Sequence, residues 1–240
     1  MIAHEPQRKL VLFDIDRTAY RDYLIFPLVD SQFQDGLIEQ GAYQGIEESR
    51  AKHERGELSY ESMVQEVVLF YAQGLSGQTL ADVTDHTRSF LSSSDGDNFY
   101  AYVGEVTDLV RPTHDVYFIT GEPQFVADVV TQRYDAHGYI STVFDTANAH
   151  FTGQINSALS SSSHKRDAIR GILATHDRRG SFAFGDSEGD RGMLESVTFP
   201  VMVNPTPELD SIAPQHWERR RDEISIEAIP IFVARNLSNS

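Results

Sequence analysis

Short apolar runs alternate with amphipathic segments along most of the chain. The runs have the length and composition of buried strands, and turn-forming residues border them. The predicted strands are residues 10–13, 115–121, 181–185 and 200–204, with residues 139–146 and 150–155 as a further pair. Because strands alternate with helices, the pattern predicts a doubly wound α/β fold around a parallel sheet.

The segments between the strands carry apolar residues at helical spacing. The predicted helices are residues 31–46, 58–71, 80–91, 99–110 and 164–176, a helix that Pro123 opens, a helix that ends near Glu195, and residues 207–217. Ser59 is expected to cap the second of them. The serine-rich residues 160–163 are interpreted as a loop and helix cap.

The first three predicted helices follow one another without a strand between them. A chain of 240 residues is long enough for one substantial core and an inserted subdomain. We therefore expect residues 20–95 to form a helical subdomain, inserted after the first strand into an α/β core of residues 1–19 and 96–240. Residues 91–98 are rich in turn formers and are the expected return to the core.

The formal net charge is -16. This charge argues against nucleic acid or an anionic membrane as a partner, because binding to either draws on clustered Lys and Arg. The one basic cluster, Arg219 to Arg221, is interpreted as a solvated helix end. Lysine is scarce, and an acidic, lysine-poor composition fits either a high-salt cytoplasm or a compositional bias of the source genome.

The chain has no apolar run that approaches the length needed to cross a bilayer, and residues 1–9 lack the apolar core of a signal peptide. We therefore expect a cytoplasmic protein. The absence of cysteine excludes disulfides and thiolate metal sites. The nine histidines are scattered without metal-binding spacing, so we expect no histidine metal site.

Two aspartates and a threonine directly follow the first predicted strand, in the spacing Asp14-x-Asp16-x-Thr18. Residues two apart in an extended segment point the same way, so both carboxylates can converge on one spot. Two such anions repel each other unless a cation or a shared proton intervenes, and Mg²⁺ with oxygen ligands is the natural partner. The other interpretation is a strand that simply ends in a polar turn.

Two later strands also end in polar residues. Thr120 and Gly121 close one of them, and Asp186 and Asp190 follow the other in the segment GDSEGD. Lys165 lies at the start of the helix between these two strands. Since ligands bind beyond the carboxyl ends of the strands in such sheets, we expect these groups to meet.

This ordered set of four motifs, over residues 10 to 194, resembles the haloacid dehalogenase superfamily of phosphatases, which have a Rossmann-like core. The GDSEGD segment, the pair Asn204 and Pro205, and the helical insertion look most like the phosphoserine phosphatase-like branch. In that branch the insertion is a helical C1-type cap. The resemblance implies that residues 20–95 form such a cap.

The resemblance also implies a role for each motif. Asp14 would attack phosphorus and become an aspartyl-phosphate. Asp16 would protonate the leaving oxygen and then deprotonate the attacking water. Thr120 and the N–H groups after it would hold phosphate oxygens, and Lys165 would neutralise the charge of the nucleophile and the phosphoryl group.

The implied cofactor is Mg²⁺. Asp14, the backbone carbonyl of Asp16 and Asp186 would coordinate it, and Asp190 would hold a metal-bound water or orient Lys165. Relatives that cleave carbon–halogen bonds or pump ions lack an aspartate at the place of Asp16. Its presence here favours phosphate esters.

The resemblance is weaker where substrate specificity is concerned. Phosphoserine phosphatases resemble one another in carrying a glutamate at the place of Tyr23 and a cap arginine at the place of Val67, and both are absent here. Free phosphoserine is therefore disfavoured, although Arg50 or Arg55 could supply the missing cation from a shifted cap. The candidate substrate-binding residues are Thr120, Gly121, Glu122, Tyr23 and Arg17.

The leading hypothesis is a Mg²⁺-dependent phosphomonoesterase that acts on a small phosphorylated metabolite. Two alternatives are a phosphotransferase that passes the phosphoryl group to an alcohol, and a binding or regulatory protein that keeps the fold without the reaction. A homodimer is left open.

Overall fold

The computed structural model describes residues 7–93, 98–159 and 161–238, apart from the side chains of residues 60, 61 and 93. The strands are β1 (Lys9–Phe13), β2 (His114–Pro123), β3 (Gly138–Ala147), β4 (His150–Ser157), β5 (Asp177–Gly185), β6 (Phe199–Val203) and β7 (Glu218–Arg220). They form one seven-stranded sheet in the order β4-β3-β2-β1-β5-β6-β7. All neighbours are parallel except β3 and β4. The predicted α/β sheet is thus confirmed.

α-Helices flank this sheet, and the first four of them follow one another in the chain without a strand between them. They are α1 (Ile25–Gln34), α2 (Gln40–Glu54), α3 (Tyr60–Gly74), α4 (Leu80–Ser93), α5 (Ala101–Val110), α6 (Gln124–Arg133), α7 (Ser162–Ala168), α8 (Arg170–Thr175), α9 (Arg191–Leu194), α10 (Pro207–Ile212), α11 (Glu223–Glu227) and α12 (Ile229–Leu237). In the described ranges, the chain has no helix that is both long and apolar enough to cross a membrane.

The central strand β1 is apolar because both of its faces are covered. Its residues from Leu10 to Phe13 are fully buried. The Phe13 ring stacks on Phe184 of β5 at a centroid distance of 4.6 Å and on Phe118 of β2 at 5.8 Å. These contacts hold the three strands that end in the polar motifs side by side.

The block α1 to α4 lies between β1 and α5 in the chain. Two antiparallel segments carry the chain out of the core and back: Tyr20 pairs with Phe99, and the Arg21 N–H donates to the Asn98 carbonyl at 2.9 Å. The block is also tied to the β3–β4 hairpin, since the Gly77 N–H donates to the Phe151 carbonyl at 2.8 Å. The expected boundary at residues 95 and 96 falls outside the described residues, as does much of the predicted link 91–98.

Three predicted helices have other bounds. The prediction of one helix over residues 31–46 is wrong, because α1 ends at Gln34 and α2 begins at Gln40. Gly36 takes a left-handed φ of +75°, and the Leu37 N–H donates to the Gln32 carbonyl at 2.8 Å, which is how helices commonly end. The helix predicted at 164–176 is split at Ile169 into α7 and α8.

The helix predicted at 207–217 stops at Ile212. Ala213 is extended, as the residue before a proline tends to be. The interpretation of Arg219 to Arg221 as a helix end is also wrong: Arg219 and Arg220 lie in β7. The Arg219 and Arg221 guanidinium groups pair with the Asp210 carboxylate at 2.9 and 2.7 Å.

Candidate active site

Strand β1 delivers Asp14 to the carboxyl edge of the sheet. The Asp14 N–H continues the pairing with β5 by donating to the Phe184 carbonyl at 3.0 Å, and its side chain is buried. The chain then turns tightly over Ile15–Ala19, with Arg17 at a φ of +55°. A left-handed non-glycine residue costs free energy, and such positions cluster at functional sites.

Lys165 of α7 connects two of the acidic motifs. Its Nζ donates to Asp14 Oδ1 and to Asp190 Oδ1, each at 2.6 Å, and its side chain is buried. The Ser161 hydroxyl caps α7 by accepting from the His164 N–H at 3.2 Å, as predicted. Burial alone would lower the pKa of Lys165, but the two carboxylates outweigh it and raise that pKa.

The GDSEGD segment brings the other carboxylates. Asp190 Oδ2 accepts from the backbone N–H groups of Asp186 and Ser187 at 3.0 and 3.2 Å. Arg17 Nη1 lies 3.4 Å from Asp186 Oδ2. One carboxylate oxygen from each of Asp14, Asp186 and Asp190 lies within 4.8 Å of the others.

These carboxylates are unfavourable together as anions. Burial, followed by the charge of Asp190, raises the pKa of Asp14 to about 8. The same two causes raise the pKa of Asp186 well above its usual range. Such a buried, oxygen-only set fits a hard divalent cation, which would replace the missing positive charge. The Asp16 carboxylate is not part of this set of three acids, and it accepts from the Leu24 N–H at 2.9 Å.

The second polar strand end contributes Thr120, Gly121 and Glu122. Thr120 is buried, and its Oγ1 accepts from the Glu122 N–H at 3.1 Å. The Glu122 carboxyl is 3% exposed and contacts the Asp16 carboxyl. Oε2 of Glu122 is buried and has no hydrogen-bond partner in the described part of the chain, and a charged Glu122 would also be repelled by a charged Asp16.

A shared proton resolves this conflict. Burial, followed by the charge of Asp16, raises the pKa of Glu122 well above its usual range. Glu122 therefore keeps its proton, and its O–H donates a hydrogen bond to the Asp16 carboxylate. Burial raises the pKa of Asp16 to about 6, against the lowering effect of the bonds from Leu24 and Glu122. The sequence indicated Glu122 only as a substrate contact and missed this pair.

A cavity of about 500 Å³ opens above these groups. Tyr23, Gly121 and Glu122 line it, as do Asp14, Asp16, Lys165 and Asp186, whereas Thr120 and Asp190 are buried and lie outside its lining. Arg17 does not line the cavity. Its guanidinium donates to the Asn204 carbonyl at 3.2 Å and lies 6.0 Å from the Tyr23 ring centroid.

Two glycines allow the motifs to approach each other: Gly185, which begins the GDSEGD segment, and Gly192, which the sequence analysis did not single out. A Cβ on Gly185 would lie 2.5 Å from Asp190 Cβ, and one on Gly192 would lie 2.6 Å from the Ser162 carbonyl oxygen. Any larger residue would push Asp190 or α7, and hence Lys165, out of place.

We expect Gly185→Ala to lower the free energy of unfolding by about 1–3 kcal/mol, because the added methyl overlaps the buried Asp190 side chain. The measurement is urea denaturation followed by circular dichroism. Gly171→Ala is the control: its Cβ would meet nothing within 4 Å, and alanine in α8 should stabilise by about 0.5–1 kcal/mol. Equal stability of Gly185→Ala and the parent would show that the segment yields without cost.

The sequence model of the haloacid dehalogenase-like hydrolase family matches residues 11–195. Phosphoserine phosphatase SerB1 of Mycobacterium tuberculosis is 24% identical over 168 residues, which are 68% of this chain and 54% of that protein. The chain thus spans about half the length of that relative.

Solved structures share the fold. A protein of unknown function from Bordetella pertussis Tohama I superposes with a TM-score of 0.73 at 21% identity, covering 90% of this chain and 99% of that one. A substrate-bound phosphoserine phosphatase superposes with a TM-score of 0.66 at 13% identity, covering 95% and 99%.

Proposed function

Since the chain belongs to the haloacid dehalogenase-like hydrolase family, we propose that it is a phosphatase that cleaves a small phosphate monoester through a phosphoryl group carried by Asp14. The observation that carries the proposal is the ammonium of Lys165. It bonds to Asp14 and Asp190 at 2.6 Å, beside the carboxylate of Asp186, in a buried site at the carboxyl edge of the sheet. A structural ion pair would not need the two further acids.

In the first step, an Asp14 oxygen attacks phosphorus, the phosphorus–oxygen bond to the leaving group breaks, and Asp16 gives its proton to the leaving oxygen. In the second step, Asp16 takes a proton from water, the water oxygen attacks phosphorus, and Asp14 leaves as a carboxylate with release of phosphate. The pKa of Asp16, about 6, suits a group that must serve as both acid and base near neutral pH.

The phosphate would lie between Lys165 and the strand end of β2. The proposed donors to its oxygens are the backbone N–H of Gly121, which lines the cavity, and the N-terminus of α6 at Gln124. The Thr120 hydroxyl lies outside the lining and accepts from the Glu122 N–H, so its proposed role is to hold this turn. Lys165 would compensate charge on Asp14 and the phosphoryl group. Asp190 already uses both oxygens, one for Lys165 and one for backbone N–H groups, so its proposed role is to position Lys165.

The acids also suit Mg²⁺, with Asp14, Asp186 and the backbone carbonyl of Asp16 as the proposed ligands. Bound there, Mg²⁺ would supply positive charge that allows a phosphate dianion to bind beside the acids.

We further propose that residues 20–95, with α1 to α4, form a cap subdomain. Its support is that α1 and α3 line the cavity above Asp14.

The test is hydrolysis of p-nitrophenyl phosphate by the purified protein, measured once with excess Mg²⁺ and once with EDTA. Release of phosphate that requires Mg²⁺ and is absent from Asp14→Asn supports the proposal. Lack of any release above the Asp14→Asn background contradicts it.

A second experiment separates hydrolysis from transfer to an alcohol. Ethanol is added to the reaction, because transfer to it forms ethyl phosphate whereas hydrolysis forms inorganic phosphate.

Metal binding should also appear in thermal stability. Asp14 has a folded pKa of about 8, raised from 3.8, so its contribution is present below about pH 4 and is lost as pH rises through 8. In EDTA we expect the melting temperature to fall between pH 5 and pH 8. At a hundredfold excess over Kd, Mg²⁺ should raise it by roughly 5–10 °C at pH 8. An identical melting temperature with Mg²⁺ and EDTA would argue against a metal at these acids.

The Glu122 and Asp16 pair predicts a pH effect. For ethyl phosphate, whose leaving group needs a proton, kcat/KM should fall above about pH 6 as Asp16 loses its proton. Removing the bond from Glu122 raises the pKa of Asp16, so Glu122→Ala should move this fall to higher pH. Glu122→Gln retains a donor and should keep the parent profile. Superimposable profiles for all three proteins would refute the pairing.

A further inference from the structure

The cavity has two chemically different walls. The floor contains the charged and phosphate-binding groups of the core, including Asp14, Asp16 and Lys165. The opposite wall comes from α1 and α3. Its apolar members are Ile25, Phe26, Met63, Val64, Val67 and Val68. Leu69 extends this wall to the surface, where it is 44% exposed.

This wall offers no charge to a substrate. Among the described residues that line the cavity, α1 to α4 supply no charged side chain, and Gln65 of α3 is their one polar residue. Arg50 and Arg55 do not line the cavity. Arg50 pairs with Glu54 and covers the Phe26 ring at 4.9 Å, while Arg55 pairs with Glu57.

The two charged ends of an amino acid would therefore be desolvated against this wall without a partner, which is costly. Lys165 is the one cation among the described residues that line the cavity, and it bonds to Asp14 and Asp190 and faces the phosphoryl group, which leaves no cation for a substrate carboxylate. An uncharged apolar group loses nothing there and gains free energy in proportion to the area that it buries.

We infer that the leaving group of the substrate is an uncharged, apolar alcohol or phenol, such as an alkyl chain or an aromatic ring, held by the wall of α1 and α3. The inference rests on the proposed phosphatase function, because it concerns the same cavity. It names the substrate class as hydrophobic phosphate monoesters, distinct from phosphorylated amino acids and sugars.

The first experiment compares kcat/KM for ethyl, butyl, hexyl, phenyl and 1-naphthyl phosphate with phosphoserine and glycerol 3-phosphate, all with Mg²⁺. Each added methylene should raise kcat/KM about fourfold until the cavity is filled, and the two polar substrates should be the poorest. If phosphoserine or glycerol 3-phosphate is cleaved as well as hexyl phosphate, the inference is wrong although the phosphatase function stands. If none is cleaved above the Asp14→Asn background, both are wrong.

Variants then locate the effect on the wall. Val67→Thr replaces a buried methyl by a hydroxyl at nearly constant volume and should lower the ratio of kcat/KM for 1-naphthyl over ethyl phosphate about tenfold. Val83→Thr is the matched control, since Val83 is equally buried in α4 but lies outside the cavity. It should leave that ratio unchanged even if it lowers stability.

A surface pair avoids any problem of folding. Leu69→Gln changes the exposed edge of the wall and should lower the same ratio about threefold. Leu109→Gln, in α5, starts from a similar exposure of 40% but lies outside the cavity, so the ratio should not change. If Val67→Thr and Leu69→Gln both leave the ratio at the parent value, the wall does not hold the leaving group and the inference is overturned.

Discussion

Replacement of Asp14 by asparagine should lower kcat for phosphate ester hydrolysis by at least about 10⁴-fold. The amide keeps the shape and can still accept the bond from Lys165, but it carries no charge and cannot form the acyl phosphate. The measurement is steady-state kinetics, together with intact-protein mass spectrometry after an acid quench. The parent should gain the mass of one phosphoryl group during turnover, and the variant should not.

The same variant should fold at least as stably as the parent in EDTA. Asparagine removes one acid from the cluster of Asp14, Asp186 and Asp190, in which burial and then the charge of Asp190 raise the pKa of Asp14. Asp128→Asn, on the surface of α6, is the control for the chemical change and should keep full activity. An Asp14→Asn protein that turns over at the parent rate would eliminate the covalent route.

Replacement of Lys165 by methionine is the second large effect. We expect kcat/KM to fall by about 10³-fold, because the ammonium that faces both the nucleophile and the phosphoryl group is lost. In EDTA the variant should also lose about 3–5 kcal/mol of stability, since the buried carboxylates of Asp14 and Asp190 then have no cation. Methionine preserves the length and apolar stem of lysine, which limits any packing defect.

The measurements are kcat/KM and urea denaturation, each with Mg²⁺ and with EDTA. Lys52→Met is the matched control: the Lys52 side chain is 40% exposed on α2 and lies 4.0 Å from Glu48, and such surface pairs contribute at most about 1 kcal/mol. Mg²⁺ should restore part of the stability of Lys165→Met, because it neutralises the same carboxylates, but not its activity. A Lys165→Met enzyme with parent kcat/KM would remove Lys165 from the proposed mechanism.

Strands β1, β2, β5 and β6 were predictable because they are largely buried and therefore form continuous apolar runs in the sequence. Helix ends were harder to predict. The spacing of apolar residues around Gly36 is compatible with one continuous helix. Gly36 instead adopts the left-handed conformation that separates α1 from α2. Ala213 similarly ends α10, and the next polar residues extend the sheet as β7. Such ends depend on backbone conformations that tertiary packing selects.

The order of the motifs predicted that Asp14, Thr120, Lys165 and Asp186 meet, because parallel strands place their carboxyl ends on one edge. Side-chain partners did not follow from that order. His137 and His176 both approach Asp115, at 2.8 and 2.9 Å, near the start of β2. Their separation in the sequence is too large for any spacing rule to indicate the contact.

By itself the sequence determined the alternation of strands and helices and the acids that follow the strands, since both depend on local periodicity. Only the tertiary structure decided that the Glu122 and Asp16 carboxyl groups meet in a buried site, that Gly185 makes room for Asp190, and that α3 turns an apolar face to the cavity. The physical reason is that protonation, close packing and pocket polarity depend on neighbours brought together from distant parts of the chain.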